Sequence, residues 1–278
     1  MVAPLSRSMT RAIGRRVPSG RRVRFWITSD ALWTSILPTL ATLALLAWVA
    51  SLIQWDFVAS LDFSVIWKYR YALFQGVSTT LGLTFVSVSL GLLVGTAFAI
   101  ALQTPLWPLR WVITAYIELL RNTPLVVQLF WVHFAMPLLT GLSTTPFESG
   151  IIAMSLQSSA YLADIAKAGI QAIPKGQWEA AAALGLSRRT TWVKVILPQA
   201  IKIVIPPLAN IAIGYFKSSS VLVLLSVGEL MTVASRISMY SFKPIETLTF
   251  VGLVYLVLGY GFSSATYRLE AFYKKAER

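Results

Sequence analysis

The stretch Ile173–Ala200, IPKGQWEAAAALGLSRRTTWVKVILPQA, bridges two apolar runs, Gly150–Ile170 and Ile196–Val227. Pro174 suits a helix start, where its missing N–H costs nothing. Glu179 follows early, a favourable place for a carboxylate against the positive end of the helix dipole. Ala180 to Ala183 are strong helix formers with almost no side-chain bulk. Gly185 suits the left-handed position that ends a helix, and Arg188 and Arg189 lie beyond it. The segment therefore predicts a short helix in a polar loop, with a smooth alanine face. Such a helix is either a plain surface connector between two spans or a face that another protein approaches closely.

Outward from this loop the chain is strongly apolar. Of 278 residues, 56% are hydrophobic and 13% charged, and the mean hydropathy is +0.68. Soluble domains carry about 25% charged residues, so this composition needs lipid as solvent. Apolar runs lie at Ile36–Ile53, Gly76–Leu102, Trp111–Leu139, Gly150–Ile170, Ile196–Val227 and Leu248–Tyr267. Each is near or above the roughly 20 residues a helix needs to cross, and the longer ones must tilt, bend or break. The expected fold is an all-α polytopic membrane protein with about six transmembrane helices. Trp26, Trp33, Trp55, Trp67 and Trp107 fall near the span ends and fit an interfacial belt.

The net charge of +13 is unevenly placed. Arg7, Arg11, Arg15, Arg16, Arg21, Arg22 and Arg24 crowd the N-terminal arm. Arg110, the loop from Lys167 to Lys194, and Arg268, Lys274, Lys275 and Arg278 fall on the same side as that arm. On the other side, Lys68 and Arg70 are balanced by Asp56 and Asp62, and Arg236 and Lys243 by Glu229 and Glu246. The positive side is expected to be cytoplasmic, with both termini inside. This distribution belongs to membrane loops and not to a soluble basic face, so nucleic acid is not an expected partner. The first run reads as an uncleaved span rather than a signal peptide.

The chain has no cysteine, and His133 is its only histidine. Disulfides, thiolate metal sites and histidine clusters are excluded. No G-x-x-x-x-G-K-[ST] phosphate cradle is present. No catalytic, cofactor-binding or metal residues are assigned, and the chain is not expected to be an enzyme.

Residues Glu179, Ala180, Ala181, Gly185, Val195, Leu197 and Pro198 match, at their spacing, the EAA loop of ABC importer permeases, with Val195 where Ile is usual. Glu118–Leu129, ELLRNTPLVVQL, resembles the E-x-x-R-G-T-P-L-x-x-Q segment of the polar amino-acid branch. Ser158–Asp164, SSAYLAD, resembles its N-S-A-Y-x-A-E segment, and Lys217–Ser220, KSSS, its K-[DE]-[TS]-S turn. The similarity runs from about Gly76 to the end. Asn122 replaces a usual Gly, and Ile211 stands where Glu or Gln is common.

The resemblance implies a five-helix type I importer core preceded by one extra helix. The expected organisation is a basic arm at 1–33, an added transmembrane helix at 34–54, a permease domain at 72–270 with its coupling loop at 171–198, and a tail at 271–278. It implies that Glu179, Ala180, Ala181 and Gly185 dock on a separate ATPase, which uses ATP and magnesium. The other implied partners are an extracytoplasmic solute-binding protein and a second permease subunit, identical or homologous. The implied activity is import of polar amino acids across the bacterial inner membrane by alternating access. An ion-coupled secondary amino-acid transporter is the alternative, and it would show inverted repeats that are not evident. A membrane-embedded enzyme would need a reactive constellation that is not found.

Polar residues inside the apolar runs need protein or water around them. Glu118 and Arg121, three apart, are expected to pair on a helix that Pro124 kinks, and Asp164 and Lys167 form a second such pair. Asn210 and Lys217, seven apart, share a helix face. Lys217, Ser218 and Ser219 are expected to open an unwound turn on the substrate pathway; the alternative is a buried lysine satisfied by carbonyls. His133 reads as a satisfied interior histidine. Gly91-x-x-x-Gly95 permits close helix contact and is a candidate for a subunit interface.

Overall fold

A computed structural model describes residues 29–275, and the expectations for most of the basic arm, for Trp26 and for the last three residues lie outside them. Among the described residues every regular element is helical. The chain divides into two compact units, residues 1–60 and 61–278. The described part of the first holds α1 (Ser29–Ser51) and α2 (Trp55–Ala59). Trp48, Leu45, Leu46 and Trp55 on these helices are all exposed.

The second unit begins with α3 (Ser64–Lys68) and the long α4 (Arg70–Ala101). Next come α5 (Trp107–Arg121), α6 (Leu125–Phe130) and α7 (Met136–Thr140), with a π-helical turn at Trp131–Ala135 between the last two. Then follow α8 (Pro146–Gln171), α9 (Lys175–Ala183) and α10 (Arg188–Thr190). A second π-helical turn, Thr191–Ile196, leads into α11 (Leu197–Ser218), which tightens into a 3-10 segment at Ser219–Leu225. Helices α12 (Leu230–Ser241) and α13 (Pro244–Lys275) complete the chain.

Both π turns have one local cause. Pro137 and Pro198 each stand two residues past the end of a π turn. A proline lacks the N–H that would bond the carbonyl four residues back, His133 or Lys194, and its ring crowds that carbonyl. The wider turn relieves the crowding without ending the helix. The start of α8 is equally local. Thr145 and Glu148 form a reciprocal capping box with Pro146 in the first turn. The backbone N–H and hydroxyl of Thr145 donate to the Glu148 carboxylate and hold its pKa below the ordinary glutamate value.

Helices α4 and α8 lie side by side and run in the same direction. A methyl group built on Gly91 would meet Ser158, and one on Gly95 would meet Ser159, Leu162 and Ala163. The Gly91-x-x-x-Gly95 pair is therefore a contact inside one chain, a correction to its reading as a subunit interface. Leu83, Val88, Leu129, Met154, Leu162, Tyr215 and Leu222 form the main buried cluster around this pair. A second cluster, of Val65, Leu73, Leu230, Ala234, Ile237 and Val251, closes the end of the bundle opposite α9.

Among the described residues three helices are long and apolar enough to cross a membrane, or five if each bent pair forms one span. The apolar runs of the sequence predict about six. The difference is α8, whose 26 residues reach about 39 Å. Its buried face carries Ser149, Gln157, Ser158 and Ser159, so it is long enough to cross but less apolar, and it is shielded by its neighbours. Helix α12, at 12 residues, is too short to cross and covers one end of α4 and α13.

Candidate functional site

The loop helix α9 starts after Pro174, whose backbone is extended, and ends in the αL conformation at Gly185, φ +65°. The Leu186 N–H donates to the Ala181 carbonyl at 3.1 Å, and the Gly185 N–H to the Ala182 carbonyl at 3.0 Å. These are the two bonds of a Schellman cap. Ser187 then caps the next turn, its hydroxyl accepting the Thr190 N–H at 3.2 Å. Trp178 meets Trp192 edge to face at 5.3 Å, over buried Ile173 and Ile196. This clamp fixes α9 to the root of α11.

Its two faces differ sharply. Glu179, Ala180, Ala182 and Ala183 are exposed, and Leu184 is 76% exposed. Ala181 is only 3% exposed, so it seats α9 on its own chain and is not part of the open face. Helix α9 starts where Pro174 predicts, but that makes Glu179 its fifth residue, past the first turn, and α9 has no acid in its first turn. Its carboxylate is thus presented outward and does not serve the helix dipole.

The expected Glu118–Arg121 pair does not form. Arg121 Nη1 instead lies 2.9 Å from Asp164 on α8, and the Glu118 carboxylate accepts the Asn122 side-chain amide at 2.9 Å. The same contact gives Asp164 a partner other than Lys167. Helical spacing permits the local pairs, but the chain bends by 107° between α5 and α6 and brings α8 within reach. Pro124, extended at ψ 140°, stands at that bend.

The bend is held by side-chain amides. Gln128 Nε2 donates to the Thr123 hydroxyl at 2.7 Å and to the Leu120 carbonyl at 2.8 Å. Gln157 on α8 donates to the Thr123 carbonyl at 3.0 Å and accepts the Tyr215 hydroxyl at 3.1 Å. The Tyr161 hydroxyl donates to the Arg121 carbonyl at 3.2 Å. Carbonyls freed by a broken helix in an apolar setting need such partners. His133 is satisfied as expected, its Nδ1 lying 2.8 Å from the Ser149 hydroxyl.

Asn210 and Lys217 do share a face of α11, with Gly214 between them, and all three are exposed. The Lys217 side chain leans toward α13, its Cε 3.5 Å from where a methyl on Gly259 would sit. The serine turn does not unwind. Ser218 ends α11 and the chain tightens into the 3-10 segment. Ser219 is fully buried and donates to the Phe216 carbonyl at 2.7 Å, and Ser220 donates to the Lys217 carbonyl at 2.9 Å. Short hydroxyl side chains bond back to their own helix, and the Phe216 and Lys217 carbonyls each accept one such bond.

Arg236, Lys243, Glu229 and Glu246 are expected to balance one another between 228 and 247, and the structure separates them. Glu229 is fully buried and caps α12, accepting the N–H groups of Met231 and Thr232 at 2.9 and 2.7 Å and the Tyr255 hydroxyl at 3.2 Å. Lys243 pairs with Asp62, and Glu246 accepts the Asp62 N–H at 3.2 Å. Among the described residues no carboxylate partners Arg236. Glu is not among the usual N-cap residues and the capping box runs the other way, Ser or Thr first and Glu third, so the sequence carries no standard signal for the Glu229 cap.

A sequence profile of the binding-protein-dependent transport system inner membrane component matches residues 91–275. The chain is 35% identical over 203 residues to the probable amino-acid ABC transporter permease protein YckA of Bacillus subtilis, covering 73% of this chain and 88% of that one. It is 33% identical over 210 residues to the glutamine transport system permease protein GlnP of Escherichia coli, covering 75% and 96%. Its fold is similar to the crystal structure of an amino acid ABC transporter with histidines, with TM-score 0.72, 33% identity, and coverage of 76% of this chain and 99% of that one. An inward-facing MetNI methionine ABC transporter shares the fold at TM-score 0.64 and 20% identity. With α8 capped and seated on α4, and α9 presented at the foot of α11, the chain belongs to the family of binding-protein-dependent transport system inner membrane components, the ABC importer permeases.

Proposed function

We propose that this chain is a permease subunit of an ATP-driven importer that moves polar amino acids across the bacterial inner membrane by alternating access. Its energy comes from a separate ATPase coupled through α9. The relatives include permeases named for arginine and for glutamine transport, which supports a polar amino acid as cargo. The observation that carries the reading is the open face of α9: Glu179, Ala180, Ala183 and Leu184 exposed on a helix that the Trp178–Trp192 contact and the Schellman cap hold rigid. A small-residue face admits close approach, and the outward Glu179 and Leu184 give a partner groove one charge and one apolar anchor.

The exposed Asn210–Gly214–Lys217 face supports a second permease subunit. A lysine in an apolar helix costs about 2.5–3.5 kcal/mol near the bilayer centre unless it meets protein or water. We assign that face to the path between two such subunits, with a solute-binding protein delivering cargo from outside and both termini inside.

The test is Glu179→Lys. Uptake and ATPase co-purification should both be lost while the protein stays in the membrane at normal level. Full transport with normal co-purification would remove the assignment. Uptake by the purified chain alone in liposomes, driven by an ion gradient, would replace it with secondary transport.

A further inference from the structure

At the end of the bundle opposite α9, the first turns of α4 and the length of α12 enclose an open pocket of about 580 Å³. Gln75, Ser78, Thr79, Gly228, Arg236 and Tyr240 are among the residues that line it. Arg236 is the only charged residue in that lining. One of its nitrogens, Nη2, donates to the Ser226 carbonyl at 3.2 Å. Among the described residues its other donors have no protein partner. The nearby acids are engaged elsewhere: Glu229 caps α12 from within the core, Asp62 pairs with Lys243, and Glu246 accepts a backbone N–H. Gln75 and Thr79 likewise make no side-chain hydrogen bond among the described residues. Phe74 and Tyr240 add exposed aromatic surface to the same pocket.

We propose that this pocket is a solute site in which Arg236 takes the α-carboxylate of a free amino acid whose side chain is neutral or acidic. The inference rests on the amino-acid importer reading and narrows its cargo. A guanidinium presents paired donors that match a carboxylate, and the bond to Ser226 leaves those donors available while fixing the head. An α-ammonium group finds the Gln75 and Thr79 oxygens and the faces of Tyr240 and Phe74, which attract a cation. A cationic side chain finds no carboxylate in the pocket and one like charge, which selects against it.

The full-length chain in nanodiscs tests this by direct binding of labelled L-glutamine, L-glutamate, L-arginine and L-glutaminamide, with no binding protein present. Glutamine or glutamate should bind more tightly than arginine, and the amide, which lacks the carboxylate, should bind about tenfold to a hundredfold more weakly than glutamine. Arg236→Gln should weaken glutamine binding by a similar factor and leave its ratio to the amide near one. Arg236→Lys should restore part of the affinity. Folding of each variant is read from its melting curve. The proposal is overturned if wild-type chain binds none of the probes, if arginine is preferred, or if folded Arg236→Gln binds glutamine as wild type does. It is also overturned if that variant keeps solute binding but loses capture of the solute-binding protein, which would make Arg236 a docking contact. Uptake in cells separates the two readings. If wild-type cells take up amino acids but the variant is unimpaired, only the site fails; if no amino acid is carried, the importer reading fails with it.

Discussion

Gly95 faces the backbone of α8 across the α4–α8 contact, and its substitution has a calculable effect. A methyl group there would lie 2.6 Å from the Ser159 carbonyl oxygen, 2.8 Å from the Ala163 nitrogen and 3.0 Å from Leu162 Cβ. Two of the three are backbone atoms, which no rotamer change can move. Ordinary heavy-atom contact begins near 3.4 Å, so Gly95→Ala forces α4 and α8 apart by about 0.8 Å at that level. Overpacking of this kind costs about 1–3 kcal/mol, which for a chain of this size lowers the melting temperature by on the order of 5 °C. Gly91→Ala meets Ser158 Oγ at 2.0 Å, Ser158 Cβ at 2.9 Å and Ser159 N at 3.0 Å. Removing the serine side chain in Gly91→Ala/Ser158→Gly should recover part of the loss. Gly82, with nothing within 4 Å of its position for Cβ, is the control: Gly82→Ala should melt at or slightly above wild type, since alanine is the better helix former. The assay is thermal melting of the detergent-solubilised protein, with size-exclusion mass to follow subunit association. If Gly95→Ala melted like wild type but lost association, the contact would lie between subunits and the packing described here would be wrong.

The loop helix gives a paired prediction: Ala181→Leu should lower stability by about 1–3 kcal/mol because the site is filled, whereas Ala183→Leu should leave the melting curve unchanged and weaken ATPase co-purification. Gly185→Ala places a side chain at φ +65°, which costs about 1–2 kcal/mol, and it should appear as faster tryptic cleavage at Arg188 or Arg189. Lys217→Met should cut substrate uptake while the subunits still co-purify, and unchanged uptake would remove Lys217 from the path. The Asp62 carboxyl accepts from the Lys243 ammonium, the Ser64 hydroxyl and the Ser64 N–H, and these hold its pKa well below the ordinary aspartate value. A depressed folded pKa means that the contribution is complete above the unfolded value near 4 and is lost as pH falls through the folded one. Hydrogen exchange at the backbone of residues 61–69 should therefore speed up below about pH 4 relative to the rest of the bundle, and in Asp62→Asn this acid-dependent step should be absent.

What the sequence discloses and what it withholds divide along a physical line. Signals that act within one turn are readable from residue order alone: Pro174 and Gly185 delimit α9, and Pro124 marks a broken helix. Signals that depend on which neighbour arrives first are not. Glu118 and Arg121 have the spacing of a helical pair, yet a 107° bend puts Asp164 within 2.9 Å of Arg121, and the longer-range partner wins. Ala180, Ala181 and Ala183 are chemically identical, and only the seating of α9 by Trp178 on Trp192 turns Ala181 inward. Lys217 begins a serine run that in isolation reads as a place to unwind, but each hydroxyl that bonds its own helix stabilises the tightened turn. The charges between 228 and 247 follow the same rule. Counting gives two cations and two anions between 228 and 247, a sum of zero that hides how they are used. One acid is consumed as a helix cap and the other by a backbone N–H, and one cation is claimed by Asp62 from far along the chain. Neutrality of a segment is therefore no guide to the charge that a pocket presents, and Arg236 stands alone in its pocket because its apparent counter-ions have backbone work to do.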